Sequence, residues 1–287
     1  MATEQDTGKF RTNTKDQYYT KTAVAKKCVD LVLSLVPGLE THQWVEPSAG
    51  NGVFLKALPA GFDRLGIDLE PKSDGIQRGD FLEWAPISVR PRVFFGNPPF
   101  GKQGSLAKSF IKHASLNAQV IAFILPRSFV KPSMSRAFPL KFHLLHSVEL
   151  EKNAFEVNGD KYDVPCVFQI WTKKATDREI KDPVKEVGFQ YVKAGEAFHI
   201  AFKRVGGLAG KCYPASLLLE NIVFNPQFHY FLRLDDVNVP FIQAIIEKTN
   251  QHVFPSNTVG PRSLSKGEAN EVLNRIIRQL GPSPGGN

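Results

Sequence analysis

The sequence predicts an α/β protein: a doubly wound, mainly parallel sheet with an antiparallel final strand, followed by a small C-terminal α+β region. Three observations predict it. Short apolar runs alternate with helical patterns from residue 22 to residue 172, as expected of βαβ units whose sheet is covered on both faces. The last two runs flank an Asn158-Gly159 pair, so they are expected to close the sheet as an antiparallel hairpin. After Lys173 the texture turns charged and turn-rich, with Gly206-Gly207, Gly210, Pro214 and Pro226, which sets a boundary near Ala175.

Taken in order, residues 1–16 are polar and are expected to be a mobile N-terminal segment. Val24, Ala25, Cys28, Leu31, Val32 and Leu35 recur at spacings of three and four, the pattern of a helix with one buried face, and Pro37-Gly38 stops it. His42 to Val45 reads as a first strand, Gly52 to Leu58 as a helix and Arg64 to Asp68 as a second strand. Gly79 to Phe81 closes a third strand, Val93 to Gly96 is a fourth, Ser105 to Leu116 a helix and Gln119 to Leu125 a fifth. His143 to Leu150 and Pro165 to Thr172 complete a domain over 17–174. In the 175–287 region, alternation such as Phe198, Ile200 and Phe202 predicts short strands between 185 and 240. Ser265-Lys-Gly-Glu268 fits a capping box ahead of a helix through Leu280, and the GPSPGGN tail is expected to fray.

With 42% hydrophobic and 22% charged residues in 287, the composition is that of a globular chain, which excludes collagen-like, wholly disordered and disulfide-scaffold classes. No apolar run approaches the roughly 18 to 20 residues that span a bilayer, and the N-terminus is polar. The expectation is an intracellular protein, cytoplasmic or nuclear, with no membrane partner. Cys28, Cys166 and Cys212 are far apart and odd in number, so they form neither a metal knuckle nor a closed disulfide set. Lys and Arg exceed Asp and Glu by 36 to 28, a net charge of +8 that mildly favours an anionic partner.

Four segments carry chemistry. Val45-Glu46-Pro47-Ser48-Ala49-Gly50-Asn51-Gly52 stands where a strand hands over to a helix, where glycines let backbone approach a ligand; no Gly-Lys-Ser/Thr follows, so it is no phosphate loop. Gly66-Ile67-Asp68-Leu69-Glu70 ends the next strand and offers a carboxylate where a ribose diol would lie. Gly79-Asp80-Phe81 offers a second acid, able to accept from an exocyclic amine. Sharpest is Asn97-Pro98-Pro99-Phe100, directly after the fourth strand. Two prolines remove two amide donors and leave the Pro98 carbonyl free beside the Asn97 side chain and an aromatic ring, a combination suited to gripping a planar group bearing an amine.

This series resembles the class I S-adenosylmethionine-dependent methyltransferases over residues 17–172, and its tetrad resembles that of the amino-methyltransferases acting on nucleobase amines. The order of segments is similar to the gamma arrangement of DNA adenine N6-methyltransferases. The resemblance implies a Rossmann-like sheet and S-adenosyl-L-methionine as cofactor. It assigns the cofactor to Glu46, Ala49, Gly50, Asp68, Asp80, Phe81 and Asn97, and catalysis to Asn97, Pro98, Pro99 and Phe100. Gln17-Tyr18-Tyr19-Thr20 resembles the family's Tyr-Thr-Pro cofactor segment, with Lys21 in place of the proline, which adds Tyr19 and Thr20. Leu125-Pro126-Arg127-Ser128-Phe129 resembles the loop edging the active site, and Phe155 stands where a second base-stacking aromatic is found. Substrate contacts are thereby implied for Phe100, Arg127, Phe129 and Phe155.

The implied substrate is nucleic acid, DNA favoured and RNA the alternative. The C-terminal region, shorter than the family's usual recognition domain, is read as a substrate-recognition or assembly element of a homo- or hetero-oligomer. Two competing activities are methylation of a protein glutamine, whose family tetrad usually ends in tyrosine, and a silent methyltransferase fold serving as a nucleic-acid-binding subunit. Basic groups at Lys102, Lys108 and Lys112, at Arg127, Lys131 and Arg136, and at Lys203, Arg204 and Lys211 are candidates to follow phosphates. His143 and His146 lie at i and i+3 of an expected strand, where a core or surface role outweighs metal binding, so no metal is expected, and Ser48, Cys28 and His42 form no nucleophilic set.

Overall fold

A computed structural model of the chain describes residues 19–157, 160–162, 164–180, 182–255 and 262–281. Residues 1–16, Gln17, Tyr18, the Asn158-Gly159 pair and the tail beyond Gly281 lie outside the described residues. The chain divides into two compact units between Glu179 and Ile180.

The first unit begins with β1 (Tyr19–Thr20) and α1 (Thr22–Leu35), then β2 (Gln43–Glu46), α2 (Val53–Ala57), β3 (Arg64–Asp68) and β4 (Ile76–Arg78). It continues with β5 (Arg92–Gly96), α3 (Ser105–Ser115), β6 (Val120–Pro126) and β7 (Phe142–Glu149). Last come β8 (Phe155–Val157), β9 (Asp160–Tyr162) and β10 (Cys166–Lys173). Seven strands form one sheet in the order β4-β3-β2-β5-β6-β10-β7. The five from β4 to β6 are parallel, while β10 runs antiparallel to both neighbours. The fold is thus the mixed α/β, mainly parallel class that the alternation predicts.

Every residue of β5 and β6 is buried, as central strands covered on both faces must be. Phe94 of β5 and Ile121, Phe123 and Leu125 of β6 join Val45, Ile67, Phe110 and Ile111 in one apolar cluster. Of the six apolar positions expected on the buried face of α1, Val24, Ala25, Cys28 and Val32 are buried, joined by Val29; Leu31 is only partly covered and Leu35 is exposed.

Two local expectations are corrected. The third strand ends at Arg78, and the Gly79 N–H makes the last bond of its ladder with β3, to the Asp68 carbonyl at 2.9 Å; Asp80 and Phe81 belong to the loop beyond. The last two sheet strands are antiparallel neighbours, but β8 and β9 are inserted between them in sequence and pair with β1 in a separate three-stranded sheet.

The second unit holds β11 (Phe189–Val192), β12 (Ile200–Lys203), β13 (Cys212–Pro214), β14 (His229–Leu234), α4 (Val239–Gln251) and α5 (Lys266–Leu280). Its sheet is antiparallel in the order β11-β14-β12-β13. Ile200, Phe202 and Leu232 pack with Ile245, Leu273 and Ile277 of the helices. Both halves of the Ser265–Glu268 capping box form. Helix α4 is absent from the sequence reading; Asn238 caps it by accepting the Phe241 N–H at 3.3 Å, just ahead of a helical pattern the strand reading of 185–240 obscured.

Candidate active site

From β2 the chain steps outward through β3 to β4, then returns to the other side of β2 for β5 and β6. The connections therefore leave β2 and β5 in opposite directions, and a crevice opens beyond their carboxyl ends. A cavity of about 400 Å³ lies there. Tyr19, Thr20, Glu46, Ala49, Gly50, Asp68, Asp80, Phe81 and Asn97 all line it, so the nine residues expected at the cofactor share one space.

Hydrogen bonds fix the acids. Both carboxylate oxygens of Asp68 accept backbone donors, from the Gly50 N–H and the Glu70 N–H, each at 2.7 Å. The glycine turn and the end of β3 are thereby tied to each other. Gly50 and Gly52 sit at φ +50° and +71°, where a side chain is strained, and a Cβ on Gly50 would lie 3.3 Å from the Tyr19 ring. Asp80 turns back on its own loop, accepting the Leu82 N–H at 2.8 Å. Phe81 is buried behind it, 4.8 Å from the His113 ring in an edge contact, and His113 is itself held 2.8 Å from the Trp84 carbonyl.

Glu46 is only 2% exposed. Desolvation pushes its carboxyl well above the usual carboxylate range; the N–H groups of Leu55 and Phe54 oppose that shift, and the Asp68 charge adds to it. The Leu55 N–H donates at 3.2 Å. Across from it Gly96 stands at φ +122°, where a Cβ would come within 3.1 Å of the Glu46 side chain. Only a glycine before Asn97 lets the two strand ends approach this closely.

Within the tetrad, Asn97 and Pro99 line the cavity while Pro98 and Phe100 are buried. The Ser48 hydroxyl donates to the Asn97 carbonyl at 3.0 Å, linking the glycine turn to the tetrad. The Phe100 carbonyl accepts the N–H groups of Leu106 and Ala107, at 3.1 and 3.3 Å, so it occupies the amino end of α3. Sequence reasoning missed Leu106 and Phe110 of α3, which also line the cavity. Their i, i+4 spacing directly after the tetrad was the available signal.

None of the four substrate candidates, Phe100, Arg127, Phe129 and Phe155, lines this cavity. Arg127 bonds Glu149 at 2.7 Å. Phe100, Phe129 and Phe155 are 9%, 3% and 0% exposed, so all three rings are buried, Phe100 the least. Phe129 belongs to the same apolar cluster as Phe94 and Phe123, against Gly104, because the loop after β6 folds inward; Phe155 is enclosed beside β1. In the second unit the basic residues sit on aromatic rings, Arg204 at 4.9 Å from the Tyr230 centroid and Lys203 at 5.6 Å from that of Phe228. Cys28, Cys166 and Cys212 are buried, and burial pushes the Cys28 thiol up to about 12, a poor nucleophile.

No protein-family model and no curated protein sequence matches this chain. Among solved structures, it is similar to a putative RNA methyltransferase from Pyrococcus horikoshii (18% identity, 56% of this chain and 90% of that one, TM-score 0.44). It is also similar to a putative class I S-adenosylmethionine-dependent methyltransferase from Listeria monocytogenes (11% identity, 60% and 65%, TM-score 0.45). A third is a type I restriction-modification methyltransferase subunit from Streptococcus thermophilus (16%, 55% and 45%, TM-score 0.41), of which this chain spans less than half. At such identities and TM-scores, the functional assignment rests on the chain's own geometry.

Proposed function

We propose that the chain is an S-adenosylmethionine-dependent methyltransferase acting on the exocyclic amine of adenine in nucleic acid, with DNA the favoured polymer and RNA the alternative. The observation that carries this reading is the convergence, on one cavity, of four strand-end segments and Tyr19–Thr20, gathered from residues 19 to 99. The cavity's own residues suit this cofactor. Thr20 Oγ1 is buried there without a hydrogen-bond partner, an arrangement that a polar ligand group would complete. The donor set suits the ligand: carboxylates at Asp68 and Asp80 for hydroxyl and amine donors, an aromatic edge at Phe81, and the Gly50 turn for close backbone approach.

Once bound, S-adenosylmethionine supplies a methyl group on a sulfonium centre. The protein's part is alignment and preparation of the acceptor. An adenine amine is a poor nucleophile because its lone pair is delocalised into the ring. Accepting both amine protons at Asn97 Oδ1 and the Pro98 carbonyl would hold the nitrogen nearer to tetrahedral geometry. Pro98 and Pro99 cannot donate, so the backbone here offers acceptors alone. Phe100, anchored through its carbonyl to α3 and 9% exposed, is the ring assigned to stacking, and it would have to be uncovered as the base enters. A base in a duplex must leave the stack to reach the tetrad, which favours mismatched or single-stranded targets.

The test is incubation with tritiated S-adenosylmethionine and separate DNA, RNA and protein pools, followed by mass spectrometry of the labelled product. Label on N6-methyladenosine or its deoxy form is the expected result; label on a protein amide, or none, overturns the reading.

A further inference from the structure

Tyr19 and Thr20 reach the cavity on a strand of two residues, too short to hold itself. Among the described residues β8 is the strand that pairs with it. Tyr19 lies opposite Glu156, Thr20 opposite Phe155, and the Lys21 N–H donates to the Ala154 carbonyl at 3.0 Å. Ala154 and Phe155 are 1% and 0% exposed, so β8 is sunk into the first unit, while Glu156 is exposed. On the other side, the Tyr19 ring lies against Gly50 so closely that a Cβ there would meet it at 3.3 Å. The strand is a strap: one side rests on the glycine turn, the other is pinned to β8.

We propose, resting on the cofactor reading of the cavity, that Phe155 is a positioning residue for the cofactor: its buried ring fixes β8, and β8 holds Tyr19 and Thr20 against the glycine turn. Phe155 then acts on S-adenosylmethionine affinity without touching it, and does not stack on the target base. The backbone pairing is the link. Since Lys21 donates to Ala154, the alternation of an antiparallel pair turns the Glu156 backbone, two residues on, toward Tyr19 as well. A proline at 156 removes that donor while leaving the buried ring intact, and it favours extended backbone at Phe155.

The experiment is calorimetric titration of the full chain with S-adenosylhomocysteine, which binds without reacting, together with melting temperatures and steady-state kinetics. Phe155→Ala and Glu156→Pro are each expected to lower affinity by about tenfold or more, because an unpinned strap must be ordered anew on binding. Glu156→Ala and Phe155→Leu should retain affinity near that of the wild type. At saturating cofactor, kcat and the KM for nucleic acid should change by less than about twofold in both weakened variants.

Unchanged affinity in both Phe155→Ala and Glu156→Pro overturns the proposal. So does a raised nucleic-acid KM with cofactor affinity intact, which returns Phe155 to a stacking role. If Phe155→Ala does not fold, Glu156→Pro decides alone. A wild type that binds no S-adenosylhomocysteine overturns the cofactor reading itself, and this proposal with it; a wild type that binds while both variants bind equally well removes only the strap.

Discussion

The two sides of the candidate site are built differently. On the cofactor side, each acid is held by backbone: Asp68 by Gly50 and Glu70, Asp80 by Leu82, Glu46 by Leu55. On the substrate side, Asn97 and Pro99 reach the cavity, but Arg127 is paired with Glu149 and the rings of Phe129 and Phe155 are enclosed. A position defined by a strand end and a turn is transferable from a motif, because backbone geometry fixes it. The direction of a side chain on a following loop depends on how that loop packs, which a motif does not record.

The difference can be sharpened or broken by substitution, and the largest effect belongs to the tetrad. Asn97→Ala should lower turnover by about 100-fold or more even at saturating S-adenosylmethionine, the mark of an interaction made in the transition state. Full activity in this variant, measured by label transfer, would reduce the tetrad to a structural turn. Asp68→Ala should do the reverse. Loss of a charged acceptor is worth about 1.5 to 3 kcal/mol of cofactor binding by calorimetry, with turnover at saturating cofactor little affected.

Glu46 gives a third test, read in stability. Its folded pKa is raised, so the folded state binds the proton more tightly than the unfolded chain does. The resulting stability is fully present below the ordinary value near 4.5 and is lost as pH rises through the folded value. Denaturant unfolding of the cofactor-free protein at a series of pH values should therefore show a decline above pH 4.5 that is shallower in Glu46→Gln. Parallel curves for the two proteins would mean that Glu46 is charged in the folded state.

The smallest effect concerns the exposed Lys102 beside the tetrad. Nucleic-acid affinity should fall steeply with salt while cofactor affinity does not, and Lys102→Ala should reduce the salt slope by about one if that ammonium neutralises a phosphate. An unaltered slope removes Lys102 from the interface.

Much of the first unit was legible because its signals are local and repeated. Strand runs such as Val93 to Gly96 end at glycine or acid, and the order of those endings implies the crevice before any coordinate is known. Thr20 was legible only through a resemblance, and its pin to Phe155 crosses 135 residues that no local pattern connects. Helix α4 was hidden because Val237, Val239 and Pro240 precede its periodic part and read as a continuation of the strand-rich stretch. Phe129 and Phe155 illustrate the limit in the other direction: a motif places an aromatic in the chain, but packing decides its exposure, which is 3% and 0% for these two.

The Phe100 carbonyl, seated on the N–H groups of Leu106 and Ala107, gives the tetrad a clock. Those two amides exchange with solvent only when the first turn of α3 opens, and that opening releases Phe100 at the same moment. Deuterium uptake at Leu106 and Ala107 therefore reports the lifetime of the acceptor geometry without any substrate present. Substitutions on the exposed face of α3, remote from the cavity, would reset that lifetime through the helix they belong to.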